Sequence, residues 1–322
     1  MSINSPITQK VLPLVARAEP DELSLWCEHL SQALAPTHTV KLLAELSVDE
    51  CQAAEVAIVA NPDPKDLQSL PNLKWVQSLW AGVEHMAAEL PQDGPAIVRM
   101  IDPQMANTMS EAVLAWTLYL HRDMPRYAKQ QSTKIWREHA LELPSDRTVT
   151  VLGLGNLGKR SALRLKANGF TVCGWSRSAK TIEGVETHSG ADGLAKVLSK
   201  TDIAVLLMPL TDDTRGLINE QALAHMPKGA SLINFARGPI IDDTALIAAL
   251  DSGQINHAVL DVFASEPLSE SNPYWSHPSV TVLPHISAPT IHSTAAKIVA
   301  ENVAAFAQTG KVPESVDRQR GY

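Results

Sequence analysis

Residues 148–158 read T-V-T-V-L-G-L-G-N-L-G, and the segment 157–168 that follows carries its apolar residues at helical spacing. A buried strand thus runs straight into Gly153-x-Gly155-x-x-Gly158 and then a helix. The spacing has a physical cause. Gly153 permits a tight turn, Gly155 lets a diphosphate approach the backbone, and Gly158 allows helix and strand to pack closely. A helix beginning at Asn156 and Leu157 points its free N–H groups and its dipole at the phosphates. The glycine pattern alone is weak evidence. Here strand, turn, helix and second strand stand in the order a dinucleotide-binding unit requires.

The second strand, 170–175, runs out into Ser176-Arg177-Ser178. An NAD site normally presents Asp or Glu at this strand end, accepting hydrogen bonds from the ribose hydroxyls. A serine stands there instead, and an arginine follows it. A carboxylate would repel the 2′-phosphate of NADP, whereas a guanidinium can pair with it and stack on adenine. Lys180 adds charge nearby. NADP(H) is therefore the expected cofactor and NAD(H) the weaker alternative; the plain reading of Arg177 is a solvated surface arginine.

Outward from this unit, β-branched runs at 203–208, 230–235, 258–262 and 280–283 alternate with helix-like segments at 193–200, 220–226 and 243–251. Asp242 or Asp243 can cap the last helix, and Gly253 follows its end. Strands buried on both faces and linked by helices describe a doubly wound parallel sheet. The first hundred residues repeat the alternation more weakly, with strands expected at 11–15, 56–60, 73–79 and 97–100 and a helix at 21–34. A long apolar helix at 107–121 and a more polar one at 126–139 carry the chain between domains. The helical segment 290–308 has no strand after it and is expected to return to the first domain. The expectation is an α/β chain of two doubly wound parallel-sheet domains. One is a Rossmann cofactor domain over 103–288, the other a smaller flavodoxin-like substrate domain over 1–102 plus 289–322.

The whole chain sets bounds on function. Its 322 residues favour two domains over one core. Hydrophobic residues make up 45% and charged residues 19%, as in an ordinary globular enzyme. A formal net charge of −8 argues against a nucleic-acid or anionic-membrane surface. Cys27, Cys51 and Cys173 are scattered, so neither a disulfide framework nor a metal site is expected. The first ten residues lack a basic segment followed by an apolar stretch, and no apolar run is long enough to span a bilayer. A cytoplasmic location is expected.

Three further segments lie at or just past expected strand ends, where an open α/β sheet places its ligands. They are N-F-A-R-G at 234–238, D-V-F-A-S-E-P at 261–267 and P-H-I-S-A at 284–288. Together they offer a cation, a carboxylate and an imidazole. Reduction of a 2-oxo acid can use all three: the cation holds the carboxylate and polarises the carbonyl, an acid protonates the developing alkoxide, and a carboxylate orients that acid.

With the glycine motif, these segments resemble the D-isomer-specific 2-hydroxyacid dehydrogenase family in order and spacing. Within it the chain is most similar to the group of glyoxylate/hydroxypyruvate reductases A. That narrower likeness rests on S-L-W-A-G-V-E at 78–84, N-P-Y-W-S-H-P at 272–278 and the ending V-D-R-Q-R-G-Y at 316–322. The resemblance implies NADPH-dependent reduction of small 2-oxo acids, glyoxylate and hydroxypyruvate, by a homodimer. It implies that Arg237 grips the substrate carboxylate and carbonyl oxygen and that His285 donates the proton. Glu266 would hold the His285 imidazole and favour its charged form. Backbone N–H groups of Leu79, Trp80, Ala81 and Gly82 would bind the substrate carboxylate. Asp261, Ser287 and the backbone of Phe235 and Ala236 would face the nicotinamide end of the cofactor. Pro209 and Thr214 would line the adenosine side.

Trp80 departs from the small residue often found at its place. It either narrows the pocket to two- or three-carbon acids or packs against its own domain. For Trp136 and Trp275 core or interface packing is the default. A second class of function, a dinucleotide-sensing protein that resembles the corepressors of this fold family and acts through partner binding, would call for an added partner-binding surface or tail.

Overall fold

The computed structural model describes residues 9–318. Residues 319–322 of the closing V-D-R-Q-R-G-Y motif lie outside the described residues, as do residues 1–8 of the N-terminal stretch. The chain divides into two compact units, Met1–Gln104 with Thr290–Tyr322, and Met105–Pro289.

In the first unit β1 (Lys10–Ala16), α1 (Pro20–Leu34), β2 (His38–Leu42), α2 (Val48–Ala53), β3 (Val56–Ala60), α3 (Pro64–Leu67), β4 (Trp75–Ser78), α4 (Glu84–Glu89) and β5 (Ala96–Val98) alternate. The five strands are parallel in the order β2-β1-β3-β4-β5, the flavodoxin-like arrangement. The central strand shows why the sheet forms. In β3, Val56, Ile58 and Ala60 enter one core cluster, and Ala57 and Val59 enter the other, as a strand covered on both faces requires.

The second unit holds most of α5 (Pro103–His121), then α6 (Met124–Ser132), β6 (Thr148–Leu152), α7 (Asn156–Ala167), β7 (Thr171–Ser176), β8 (Glu186–Ser189), α8 (Gly190–Leu198), β9 (Ile203–Leu206), α9 (Glu220–His225), β10 (Ala230–Asn234), α10 (Asp243–Asp251), β11 (Ile255–Leu260) and β12 (Val280–Val282). Its seven strands are parallel in the order β12-β11-β10-β9-β6-β7-β8. The order reverses between β6 and β9, so a crevice opens at their carboxyl ends, the place where such sheets bind ligands. In β9, Ile203 and Val205 face one core cluster while Ala204 and Leu206 face the other. After the second unit, α11 (His292–Thr309) returns to the first and packs on α1. No helix among the described residues is long and apolar enough to cross a membrane.

Three sequence readings need correction. β2 and β8 were not expected; both are largely polar and nowhere fully buried, so they carry no apolar run. The helix read over 126–139 ends at Ser132. The Thr133 hydroxyl donates to the Lys129 carbonyl, and Lys134 turns to φ +57°, which closes the helix. From 135 to 143 the chain has no regular element. Trp136, for which core packing was one default, stands there 97% exposed beside exposed Ile135, Leu141 and Leu143.

Candidate active site

β6 delivers the chain to Gly153, which sits at φ +105° and donates its N–H to the Trp175 carbonyl at 2.8 Å. A Cβ there would lie 2.6 Å from the Met208 nitrogen. On Gly158, inside α7, a Cβ would overlap the Gly153 carbonyl oxygen. These two glycines answer to the protein's own packing. Gly155 does not: no protein atom lies within 4 Å of a Cβ built on it. Gly155 is also the N-cap of α7, offers no side-chain cap, and is followed by no acidic residue in the first turn. The N–H groups of Asn156 and Leu157 therefore open a helix whose dipole end takes an anion. The cradle fits a dinucleotide diphosphate.

At the neighbouring end of β7 the Ser176 hydroxyl donates to the Ser178 carbonyl at 2.7 Å. Arg177 follows, with Nη1 3.4 Å from Asp213 Oδ2. Beyond β9 the Thr214 hydroxyl donates to the Pro209 carbonyl and accepts the Thr211 N–H, both at 2.8 Å, which ties 209–214 into a compact turn. β9, β6 and β7 are adjacent in the sheet, so both loops leave one edge. The strand end that carries an acid in NAD sites carries none here, and a guanidinium stands beside it. That set suits a 2′-phosphate.

The catalytic candidates hang from β10, β11 and β12. Asn234, 1% exposed, latches the turn after β10: its Oδ1 accepts the Ala236 N–H, and its Nδ2 donates to the Arg237 carbonyl, both at 3.0 Å. Arg237 is half-buried and donates from Nη1 to the Ala236 carbonyl at 2.6 Å. A Cβ on Gly238 would overlap the backbone of Phe263 and Ala264. The arginine turn is therefore pressed against the loop that bears Glu266. Glu266 Oε1 accepts the Phe263 N–H at 2.8 Å, and Oε2 lies 2.7 Å from His285 Nδ1. With a carboxylate on that side, the Nδ1 proton is held, and Nε2 is left as the exchangeable position.

His285 adopts φ +55°, a region that non-glycine residues rarely enter. Asp261, 2% exposed, explains how it stays there. Its two carboxylate oxygens accept the N–H groups of Ile286 at 2.8 Å and Ser287 at 3.0 Å, the residues directly after His285. Asp261, expected on the cofactor side, thus acts first on the histidine loop. The N–H groups of Phe235 and Ala236 are likewise bonded within the protein, to the Leu206 carbonyl and to Asn234. Neither N–H is therefore open to the nicotinamide that the two residues were expected to face. The Ser287 hydroxyl is buried without a hydrogen-bond partner among the described residues. Leaving it so costs on the order of 1–3 kcal/mol, which the amide of a bound nicotinamide would offset.

In the first unit Leu79 is fully buried and donates its N–H to the Val59 carbonyl at 2.9 Å; the Trp80 N–H goes to the Ser78 hydroxyl at 3.0 Å. Two of the four N–H groups expected to meet a substrate carboxylate are therefore engaged, and Ala81 and Gly82 follow them. The Trp80 ring meets Trp26 edge-on, centroids 6.0 Å apart, and joins the domain's core cluster. Trp275 is half-exposed, its indole N–H on the Ser269 carbonyl. Asn234 and Asp213 escaped the sequence reading: Asn234 was quoted only as the first letter of its motif, and Asp213 lies in a turn with no motif of its own.

The comparisons bear on the same segments. The family model for the D-isomer specific 2-hydroxyacid dehydrogenase NAD binding domain matches residues 114–287. The glyoxylate/hydroxypyruvate reductase A of Serratia proteamaculans is 38% identical over 277 residues, covering 84% of this chain and 88% of that protein. Its namesake from Yersinia enterocolitica is 36% identical over 309 residues, 94% and 97% of the two chains. A D-isomer specific 2-hydroxyacid dehydrogenase of Xanthobacter autotrophicus, solved in complex with NADPH and MES, is 38% identical with a TM-score of 0.90 over 96% of this chain and 99% of that one. An NADPH-dependent glyoxylate/hydroxypyruvate reductase of Sinorhizobium meliloti, solved with NADP and sulfate, is 32% identical with a TM-score of 0.86 over 98% and 100%. Cradle, arginine turn and histidine loop thus sit on a chain that matches these proteins nearly end to end, and the chain belongs to the D-isomer specific 2-hydroxyacid dehydrogenase family.

Proposed function

We propose that the chain reduces small 2-oxo acids, glyoxylate and hydroxypyruvate, to the 2-hydroxy acids at the expense of NADPH. One observation carries the reading. The Glu266–His285 pair, held at 2.7 Å, hangs from the same sheet whose switch point carries the glycine cradle. When bound, the reduced nicotinamide supplies a hydride to the carbonyl carbon. The protein's residues do the rest. Arg237 binds the substrate carboxylate and draws charge onto the carbonyl oxygen. His285 Nε2 gives its proton to that oxygen, while Glu266 holds Nδ1 and balances the imidazolium. Asp261 and Asn234 keep the two loops in place. In the substrate domain, residues 1–102 plus 289–322, the loop of Leu79, Trp80, Ala81 and Gly82 is the segment that would meet a carboxylate. The dinucleotide domain spans 103–288, with Gly153, Gly155, Asn156, Leu157 and Gly158 at the diphosphate and Ser176, Arg177, Ser178, Pro209 and Thr214 at the adenosine end. Phe235, Ala236 and Ser287 border the nicotinamide, with NADH as the weaker alternative. Because the reductant is a cell-internal pool, the proposed activity is cytoplasmic.

The working form is a homodimer in this reading. Residues 135–143 form an irregular arm that holds Ile135, Trp136, Leu141 and Leu143 in solvent, beside exposed Met124 and Tyr127 on α6. Four large apolar side chains exposed within residues 135–143 call for a partner, and a second copy of the chain is the occupant proposed. The test of the activity is NADPH oxidation with glyoxylate, hydroxypyruvate, pyruvate and phenylpyruvate, each repeated with NADH. Fast turnover of the smallest acids with NADPH is expected. No turnover of any acid despite NADPH binding would refute the reading.

A further inference from the structure

Arg177 does not wait alone for a ligand: Asp213 Oδ2 lies 3.4 Å from its Nη1. The two residues come from different loops at one sheet edge. The backbone under Asp213 is firm. Within its turn the N–H groups of Thr214 and Arg215 both go to the Thr211 carbonyl, at 3.1 and 2.9 Å, and the Thr214 hydroxyl closes the turn. The side chains above that turn are open to water, 40% exposed for Arg177 and 70% for Asp213. An exposed pair of this kind is weak and easily exchanged. A phosphate monoester carries about two negative charges and three acceptor oxygens, and it meets a guanidinium fork in bidentate fashion. It outcompetes a single carboxylate, yet the displaced carboxylate stays on its anchored turn a few ångströms away.

We propose that Asp213 is a specificity-determining residue of the cofactor site, a carboxylate that competes with the 2′-phosphate for Arg177 and so holds down the preference for NADPH over NADH. The inference rests on the reading of Arg177 as the 2′-phosphate partner. Its logic is a difference between two ligands. NADPH must break the Arg177–Asp213 pair and then sit near an uncompensated negative charge. NADH, with a ribose hydroxyl in place of the phosphate, leaves the pair intact, and that hydroxyl finds in Asp213 an acceptor of the kind the end of β7 lacks. Removing the carboxylate charge therefore helps one cofactor and not the other.

Isothermal titration calorimetry of NADPH and NADH against the full-length protein tests this without recourse to turnover. Asp213→Asn is expected to lower the Kd for NADPH about two- to fivefold, the range open to one exposed charge pair, and not to tighten NADH. The gain is expected to shrink as salt is raised, since exposed charges are screened. In an Arg177→Ala background the same substitution is expected to lose most of its effect, because the group competed for is gone. Three results would overturn the inference: NADPH binding unchanged, NADPH binding weakened, or both cofactors tightened equally, the last marking a general field on the diphosphate. Arg177→Ala by itself separates the two levels. If it weakens NADPH and NADH alike, the underlying assignment of Arg177 fails; if it selectively weakens NADPH while Asp213→Asn does nothing, only the role of Asp213 fails.

Discussion

Asp261→Asn separates two accounts of one buried carboxylate. In the structure both oxygens of Asp261 accept backbone N–H groups, from Ile286 at 2.8 Å and Ser287 at 3.0 Å. An asparagine keeps one acceptor and turns a donor toward the other N–H. The loss is about 1.5–3 kcal/mol for a charge-assisted bond, with about 1–3 kcal/mol more for the buried N–H left unmet. His285 sits at φ +55° only because this anchor holds the two residues after it, and leaving that region returns about 1 kcal/mol or more to the relaxed loop. At the low end of these ranges the balance turns against the anchored loop by about 3.5 kcal/mol, which corresponds to a few hundredfold lower occupancy of the arrangement in which His285 Nδ1 meets Glu266. Steady-state kinetics should therefore show kcat for glyoxylate down by about two to three orders of magnitude, while NADPH affinity, read by fluorescence titration, moves less than about threefold. A kcat close to that of the parent would refute the anchor argument. A selective loss of NADPH binding would instead show Asp261 facing the cofactor, as its motif suggests.

Other consequences are as direct. His285→Ala removes the proposed proton donor and should collapse kcat with NADPH binding nearly intact, as measured by single-turnover kinetics and titration; surviving turnover would mean that the proton comes from elsewhere. Burial, helped by the nearby His277, pushes the His257 imidazole from an ordinary 6.5 down to about 4. The native state thus resists a proton that the unfolded chain accepts, so this contribution is complete above pH 6.5 and is lost as pH falls toward 4. Guanidinium unfolding should register a decline of about 3 kcal/mol across that window. His257→Gln, which can still reach the Thr281 hydroxyl, should flatten it; an unchanged acid limb would exclude His257 as its source. Trp136→Ser, at a side chain 97% exposed in the single chain, should shift sedimentation toward the monomer without loss of helical signal, and an unaltered dimer would remove the arm from the interface.

Much of the cofactor domain was legible because its determinants are local. The strand 148–152 is four β-branched residues and a leucine, and Gly153 and Gly158 after it stand where a close backbone approach forbids a side chain. The candidate catalytic residues could be picked out for the same reason: each lies in a short motif at a strand end. Edge strands β2 and β8 were not legible, since one has only half-buried residues and the other is nearly all polar, and hydrogen bonding to a neighbour rather than apolar alternation makes them strands. The arm after α6 misled in the opposite sense. Its composition suits a helix, but Thr133 and Lys134 close the helix early and leave four large apolar side chains, Ile135, Trp136, Leu141 and Leu143, in solvent.

The sequence by itself determined the class of fold and singled out the glycine cradle and the candidates Arg237, Glu266 and His285, because periodicity and motif spacing are properties of neighbouring residues. Only the tertiary structure decided what holds those groups in place. Asp261 anchors a histidine 24 residues downstream in chain, counting 261 to 285; Gly238 presses the arginine turn against the loop of Glu266; and Asp213 meets Arg177 across 36 residues. Such pairs form when separate strand ends meet at one sheet edge, and no local pattern in the chain encodes their distance.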